Sequence, residues 1–191
     1  DYSVDWNLLD IESSTIDYDD SELTPSNIKE VVNTSQSIIY SNIQKNVDVE
    51  YIVLGSQVKE NIILNKYIEN FTMTFEYKMK NLSLKEDNEG NIVFLNDENE
   101  VVFTFSDFFM FDNKTDESNS IEYHLIETGD KTYEITIIPD DEWLKTASYP
   151  VTIDPSIVLE TNNTNIRDKY VYGTSGSSTT ANYIKSGWKF Y

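Results

Sequence analysis

The sequence lacks cysteine, has one histidine and contains no long apolar run. Without cysteine, disulfide bonds cannot stabilise the fold, and thiolate metal sites and thiol nucleophiles are excluded. The absence fits a cytoplasmic protein and also a protein exported by a bacterium that does not rely on oxidative folding. No run approaches the roughly 20 apolar residues of a membrane-spanning helix, so we expect no membrane insertion. The chain begins without a signal peptide, so we expect any targeting signal to lie outside it.

Positive charge is also scarce. Fourteen Lys and Arg residues stand against 34 Asp and Glu residues, which gives a net charge of -20. Such a chain repels phosphate backbones and anionic lipid headgroups. The charge predicts that nucleic acid is not a partner, while divalent cations are compatible with it. An acidic surface is otherwise simply a well-solvated one.

Apolar and aromatic residues are plentiful by contrast, at 39% and 13% of the sequence, so the chain should fold. Residues 71–79 alternate between apolar and polar without a break, which is typical of a half-buried β-strand. Similar patterns at 101–106, 120–126 and 132–138, separated by short polar turns, indicate antiparallel hairpins. The predicted inward-facing residues are Phe71, Met73, Phe75, Tyr77, Met79, Val101, Phe103, Phe105, Ile121, Tyr123, Leu125, Tyr133, Ile135 and Ile137.

Further strands are predicted at 37–42, 49–55 and 58–65, with Trp6 and Leu8 covering the core from an N-terminal strand or loop. Residues 24–33 fit either a short helix or an edge strand. One helical turn is predicted after residue 139, with Asp140 or Asp141 as its N-cap, and it should place Trp143 and Leu144 on the sheet. The count of about nine or ten short strands predicts an all-β fold, an antiparallel β-sandwich or curled sheet.

The segment 150–155 lies between two prolines. Pro150 suits the first residue of a strand, and Pro155 ends it because proline has no N–H to donate. We therefore expect a terminal strand and a domain boundary, with an antiparallel β domain over residues 1–157. Residues 158–191, rich in Thr, Ser, Asn and Gly, are too short for a domain and are interpreted as a linker and the incomplete start of a second β module.

Three segments resemble a known family. They are "NVDVEYIVLGSQVKENIILN" at 46–65, "FTFSDFFMFD" at 103–112 and "YEITIIPDDEWLKTASYPVTIDPSI" at 133–157. Together they are similar to the β-rich region upstream of Rhs (YD-repeat) arrays in bacterial wall-associated and polymorphic-toxin proteins. The end of the chain, with Ile166, Asp168, Tyr170, Asn182 and Gly187, resembles the start of the DNRLRE domain that follows that region. No YD repeat is present.

The resemblance implies a non-catalytic structural or adhesive module, and hence no enzymatic activity, in a large secreted or cell-wall-associated bacterial protein. Its implied partners are neighbouring domains of the same polypeptide and cell-wall glycan, which exposed aromatic side chains of this acidic chain could bind. The alternative function is a catalytic domain such as a polysaccharide hydrolase. A hydrolase would show a groove in which carboxyl groups with shifted pKa values converge.

No catalytic or cofactor-binding residue is predicted. His124 lies on the strand face opposite the core, and no serine or metal-ligand motif accompanies it. The acid-rich loops at 17–22, 86–91 and 112–118 could supply oxygen ligands to calcium, the one cofactor considered. Asp87, Glu89 and Asn91 are the named calcium candidates, although none of the loops fits the EF-hand pattern. Polar turns between strands are the favoured alternative.

Overall fold

The computed structural model of the chain describes the backbone of residues 2–11, 14–18, 36–54, 57–105, 107–155, 157–158, 166–173, 180–181 and 184–190. Side chains are described within 2–11, 37–52, 59–105 and 107–155. The ambiguous segment 24–33 and the side chains of the acid-rich loop 17–22 lie outside these ranges.

The described residues form eighteen β-strands and one α-helix, which confirms the all-β prediction. The strands number more than the nine or ten expected because several are too short to show alternation and others lie beyond residue 157. They are β1 Tyr2–Leu8, β2 Ser14–Tyr18, β3 Gln36–Gln44, β4 Val47–Leu54, β5 Gln57–Leu64, β6 Met73–Lys80, β7 Ser83–Glu86, β8 Ile92–Leu95, β9 Val101–Phe105, β10 Phe109–Phe111, β11 Glu117–Ser118, β12 Ile121–Gly129, β13 Thr132–Pro139, β14 Val151–Asp154, β15 Ile157–Val158, β16 Ile166–Gly173, β17 Thr180–Ala181 and β18 Ile184–Phe190, with α1 at Asp141–Thr146.

The strands form three antiparallel sheets. A six-stranded sheet has the order β12-β13-β6-β1-β18-β16, and an eight-stranded sheet has the order β11-β10-β14-β5-β4-β3-β2-β17. A four-stranded sheet has the order β15-β9-β8-β7. Strand β14, which carries the segment between the two prolines, lies between β10 and β5.

The hydrophobic core lies where the six-stranded sheet faces the other two. Trp6 and Tyr77 of the six-stranded sheet stack with their ring centroids 6.3 Å apart. Tyr77 also meets Phe105 of the four-stranded sheet edge to face at 5.6 Å. In the eight-stranded sheet, Tyr40 and Tyr51 pack edge to face at 6.0 Å. Aromatic pairs of this kind add to the stabilisation from buried area.

The alternation patterns correctly predicted most of the core. All five inward residues of 71–79 are buried, as are Tyr133, Ile135 and Ile137, while Ile121, Tyr123 and Leu125 are partly buried. Trp6 and Leu8 lie in β1 and are buried. The prediction that Val101 shares a face with Phe103 and Phe105 was wrong, since its side chain is 53% exposed whereas theirs are buried. Val101 begins β9, where the pairing with β8 shifts register between Phe94 and Leu95.

The single helix caps this framework. Asp140 is its N-cap, and its carboxylate accepts a 2.8 Å hydrogen bond from the backbone N–H of Trp143. Leu144 is fully buried, whereas Trp143 is only partly buried. The aliphatic residue, rather than the tryptophan, is thus the main contact between the helix and the core.

The backbone beyond residue 157 pairs with the strands before it. β18 runs antiparallel to β1, with Tyr2 opposite Phe190 and Asn7 opposite Lys185, and β16 pairs with β18. The boundary at 157 and the second β module after it stay predictions.

Candidate functional site

A carboxyl group inside the sandwich is the most unusual feature among the described side chains. Glu60 lies in β5 and shares the inward face with Ile62 and Leu64, because strand residues two apart point to the same side. Its side chain is 5% exposed. Acidic side chains are rarely so buried unless they are paired, so the contacts of Glu60 identify what maintains it there.

Two neutral donors hold the Glu60 carboxyl, one from each facing sheet. The indole Nε1 of Trp6 in β1 donates to Oε2 over 3.1 Å, and the Tyr51 hydroxyl in β4 donates to Oε1. Tyr51 is the direct cross-strand neighbour of Glu60. The carboxyl therefore connects the six-stranded sheet to the eight-stranded sheet.

Burial dominates the electrostatics of this site. It raises the pKa of Glu60 to about 7, because removing the carboxylate from water disfavours its charged form. The hydrogen bonds from Tyr51 and Trp6 lower this pKa, and the negative charge of Asp154 raises it slightly. Burial and the Glu60 charge likewise hold the pKa of Tyr77 well above its usual value. Glu60 thus titrates near neutral pH while enclosed in the core.

The opposite face of the same strand carries a polar cluster. Lys59 Nζ lies 2.8 Å from the carboxylate of the buried Asp154 and 5.8 Å from the ring centroid of Phe109. Asn61 Nδ2 donates a 3.0 Å hydrogen bond to Glu50. Lys59 compensates the charge of Asp154, and it points away from Glu60 because strand neighbours alternate faces.

Asp112 ties the loop after β10 to the segment after α1. Its carboxylate accepts hydrogen bonds from the backbone N–H groups of Lys114 at 2.7 Å, Asp116 at 3.0 Å and Ser148 at 2.8 Å. These bonds, led by that from Ser148, lower the pKa of Asp112. The acid-rich loop 112–118 therefore contains a structural carboxylate that is only 4% exposed.

A surface groove of about 670 Å³ runs beside the start of α1 and includes Asp140, Asp141 and Glu142. Asp141 accepts hydrogen bonds from the Asn70 backbone N–H at 2.9 Å and from the Tyr67 hydroxyl, and it pairs with Lys145 at 2.9 Å. These contacts lower the pKa of Asp141. A general acid for glycoside cleavage needs a raised pKa, so Asp141 is unsuited to that role.

The residues singled out from the sequence lie apart from Glu60. His124 is exposed on β12, opposite Thr136 of β13, as its strand position predicted. Asp87, Glu89 and Asn91 lie in the turn between β7 and β8, where Asp87 Oδ1 accepts the backbone N–H groups of Glu89 at 2.8 Å and Asn91 at 2.9 Å. Bonds from Asn91 lower the pKa of Asp87. These contacts are typical of a polar turn, and calcium binding there stays a prediction.

Neither a metal-binding cluster nor a membrane-spanning helix is found among the described residues. No group of three or more His, Cys, Asp or Glu side chains among them is placed to hold a metal ion. Within the same part of the chain, no helix is long and apolar enough to cross a membrane.

Glu60 was not predicted as a site residue, although the sequence contains a signal for it. In "VKENIIL", the acid occupies an inward position two residues before Ile62 and four before Leu64. Asp112 and Asp154 gave no comparable signal, because each is buried by contacts with residues distant in sequence.

Comparison with known proteins found relatives among large bacterial proteins. The chain is 30% identical over 200 residues to the tRNA(Glu)-specific nuclease WapA of Bacillus subtilis subsp. natto and to the tRNA3(Ser)-specific nuclease WapA of Bacillus spizizenii, covering 100% of the chain and 8% of each protein. It is 31% identical over 180 residues to the tRNA nuclease WapA of Bacillus subtilis strain 168, covering 89% of the chain and 7% of that protein. No protein-family model and no solved structure matches the chain.

These relatives correct the functional prediction. A non-catalytic structural or adhesive module without enzymatic activity was the wrong prediction, because the similar proteins are named as tRNA nucleases, which are enzymes. Adhesion and carbohydrate binding gain no support from those names, and neither does polysaccharide hydrolysis. The Rhs and DNRLRE parts of the resemblance stay predictions. The chain is similar, over nearly its whole length, to a short region of large Bacillus proteins named as WapA tRNA nucleases.

Proposed function

We propose that this chain is part of a large bacterial tRNA nuclease. The observation that carries the proposal is the similarity of 89–100% of the chain to three proteins whose names state that activity. Because the matched region is 7–8% of each relative, the implied enzyme is many times larger than the chain. The partners of this chain would be the neighbouring domains of the same polypeptide.

We further propose that this region does not select the tRNA. One relative is named for tRNA(Glu) and another for tRNA3(Ser), yet the chain is 30% identical to both over 200 residues. A region that selected the substrate should resemble one nuclease more than the other. The equal similarity therefore favours selection by residues elsewhere in those proteins.

The charge of the chain supports the same division of roles. A surface that contacts tRNA phosphates normally carries Lys and Arg clusters, whereas this chain has a net charge of -20. We therefore expect the chain by itself to bind tRNA more weakly than a typical non-specific site, whose dissociation constant is on the order of 10⁻⁴ to 10⁻⁶ M at physiological salt. Secretion or attachment to the bacterial cell wall is part of this proposal, and it is compatible with the absence of cysteine.

A chimera tests the proposal. The region of the tRNA(Glu)-specific relative that matches this chain is replaced by the chain, and purified protein is incubated with total tRNA. We expect the chimera to cleave tRNA(Glu). Gel electrophoresis and sequencing of the fragment ends identify the tRNA that is cut. The unmodified relative is the activity control, and circular dichroism checks that the chimera folds.

Three outcomes separate the two claims. Cleavage of tRNA(Glu) supports both of them. A change in the tRNA that is cut contradicts the claim that selection lies elsewhere. A folded chimera that cuts no tRNA contradicts the claim that this chain can serve in a tRNA nuclease.

A further inference from the structure

We propose that Glu60 is a proton-controlled latch between the six-stranded and eight-stranded sheets. While neutral, its carboxyl joins Trp6 of one sheet to Tyr51 of the other. Loss of its proton strengthens these two hydrogen bonds but encloses a negative charge between the sheets, and the cost of burying that charge destabilises the packing of the two sheets. The proposal concerns the stability of the fold and does not depend on the proposed nuclease activity.

The geometry provides the first support. Glu60 is 5% exposed, and its neighbours Trp6, Tyr51 and Tyr77 are each 1–3% exposed, so water has little access to the carboxyl. The Trp6 indole lies 3.1 Å from Oε2 across the space between the sheets. Any change in the charge of Glu60 therefore acts directly on the contact between β1 and β5.

Among the side chains that the structure describes, the groups around Glu60 provide no positive charge that compensates its carboxylate. The Tyr51 hydroxyl of β4 donates a hydrogen bond to Glu60. The negative charge of Glu60 raises the pKa of the buried Tyr77 of β6. The Asp154 carboxylate of β14 disfavours the ionisation of Glu60. Lys59 on the same strand pairs with Asp154 on the other face. Among the described residues, no Lys, Arg or His forms an ion pair with Glu60. A buried charge held only by neutral donors remains costly.

The direction of the pH effect follows from linkage. The folded protein holds the Glu60 proton up to a pKa of about 7, whereas the ordinary value is 4.5. The folded state therefore binds this proton more tightly than the unfolded state. The stability contributed by Glu60 is fully present below pH 4.5 and is lost as the pH rises through about 7. Between pH 5 and pH 8 the folding equilibrium constant should fall by roughly 70-fold from this group alone.

The test compares the 191-residue chain with Glu60→Gln, which keeps the shape of the side chain and cannot ionise. Urea unfolding is measured from pH 5 to pH 8, and the ratio of the folding constants, variant over wild type, should rise about 70-fold. Glu98→Gln, an exposed position in the turn between β8 and β9, is the matched control and should keep the ratio constant. A ratio that does not change for Glu60→Gln contradicts the latch.

Two further measurements remain decisive if the variant folds poorly. In wild-type protein labelled with ¹³C at glutamate carboxyl groups, one resonance should titrate with a midpoint near 7. Hydrogen exchange of the β1 amides, compared with those of β12 at the same pH, should lose protection between pH 6 and pH 8. Titration of every glutamate below pH 5.5 would overturn the proposal, as would unchanged relative protection of β1.

Discussion

The indole N–H of Trp6 donates a 3.1 Å hydrogen bond to the carboxyl of Glu60, 54 residues later in the chain. The Trp6 side chain also stacks on the Tyr77 ring, so it contacts both the buried acid and the aromatic core. The Trp6 position therefore connects the packing of the two sheets to the ionisation of Glu60.

Substitution Trp6→Phe should raise the pKa of Glu60 above about 7, because it removes a donor that stabilises the carboxylate. The pH at which stability is lost should rise correspondingly. Loss of the bond should also cost about 1 to 3 kcal/mol at pH 8, where the carboxylate is charged. Tyr51→Phe should raise the pKa further, since the Tyr51 bond lowers it more. A ¹³C titration measures both changes, and a lower pKa in either variant would contradict the arrangement.

Substitution Asp112→Ala should lower the Tm by about 5 °C at pH 7, because three backbone N–H groups lose their acceptor. The pKa of Asp112 is lowered in the folded state, so its contribution is present above the ordinary value of 3.8 and is lost as the pH falls below it. The difference in Tm between the two proteins should therefore shrink in acid. Asp116→Ala, which leaves the backbone N–H groups bound to Asp112, is the control. Equal effects of both substitutions would refute this role.

Substitution Leu144→Ala should cost about 2 to 5 kcal/mol, since it creates a cavity where the side chain is fully buried. Trp143→Ala should cost less, about 1 to 2 kcal/mol, because only part of the indole contacts the core. Urea titration of the two variants compares the costs directly. A larger loss for Trp143→Ala would show that the indole, not the leucine, secures the helix.

A chain shortened to end at Ile157 should still unfold cooperatively, with a Tm within a few degrees of the full chain. The shortened chain retains every core residue from Val4 to Ile153 among the side chains that the structure describes, which end at residue 155. It loses the pairing of β18 with β1, which leaves β1 as an edge strand of its sheet. Differential scanning calorimetry measures the transition. An unfolded shortened chain would mean that β16 to β18 are required and that the boundary at 157 is wrong.

The local features of this fold were predictable from the sequence alone. Alternation at 71–79 and 132–138 identified the inward residues correctly, since a strand has a period of two wherever it lies. An N-cap at Asp140 or Asp141 was predictable because a capping hydrogen bond spans only three residues, and the structure identifies Asp140 as the cap. The charge of -20 and the absence of cysteine also follow from composition.

Tertiary structure decided the features that depend on distant residues. Alternation along β5 is compatible with an inward Glu60, but only the packing of the facing sheets buries its carboxyl, and that burial raises its pKa to about 7 although the Trp6 hydrogen bond lowers it. The exposure of Val101 depends on a register shift, and the burial of Asp112 depends on Ser148, 36 residues away. Periodicity reports which side of a strand a residue faces, whereas its solvation and protonation depend on what the folded chain brings against that side.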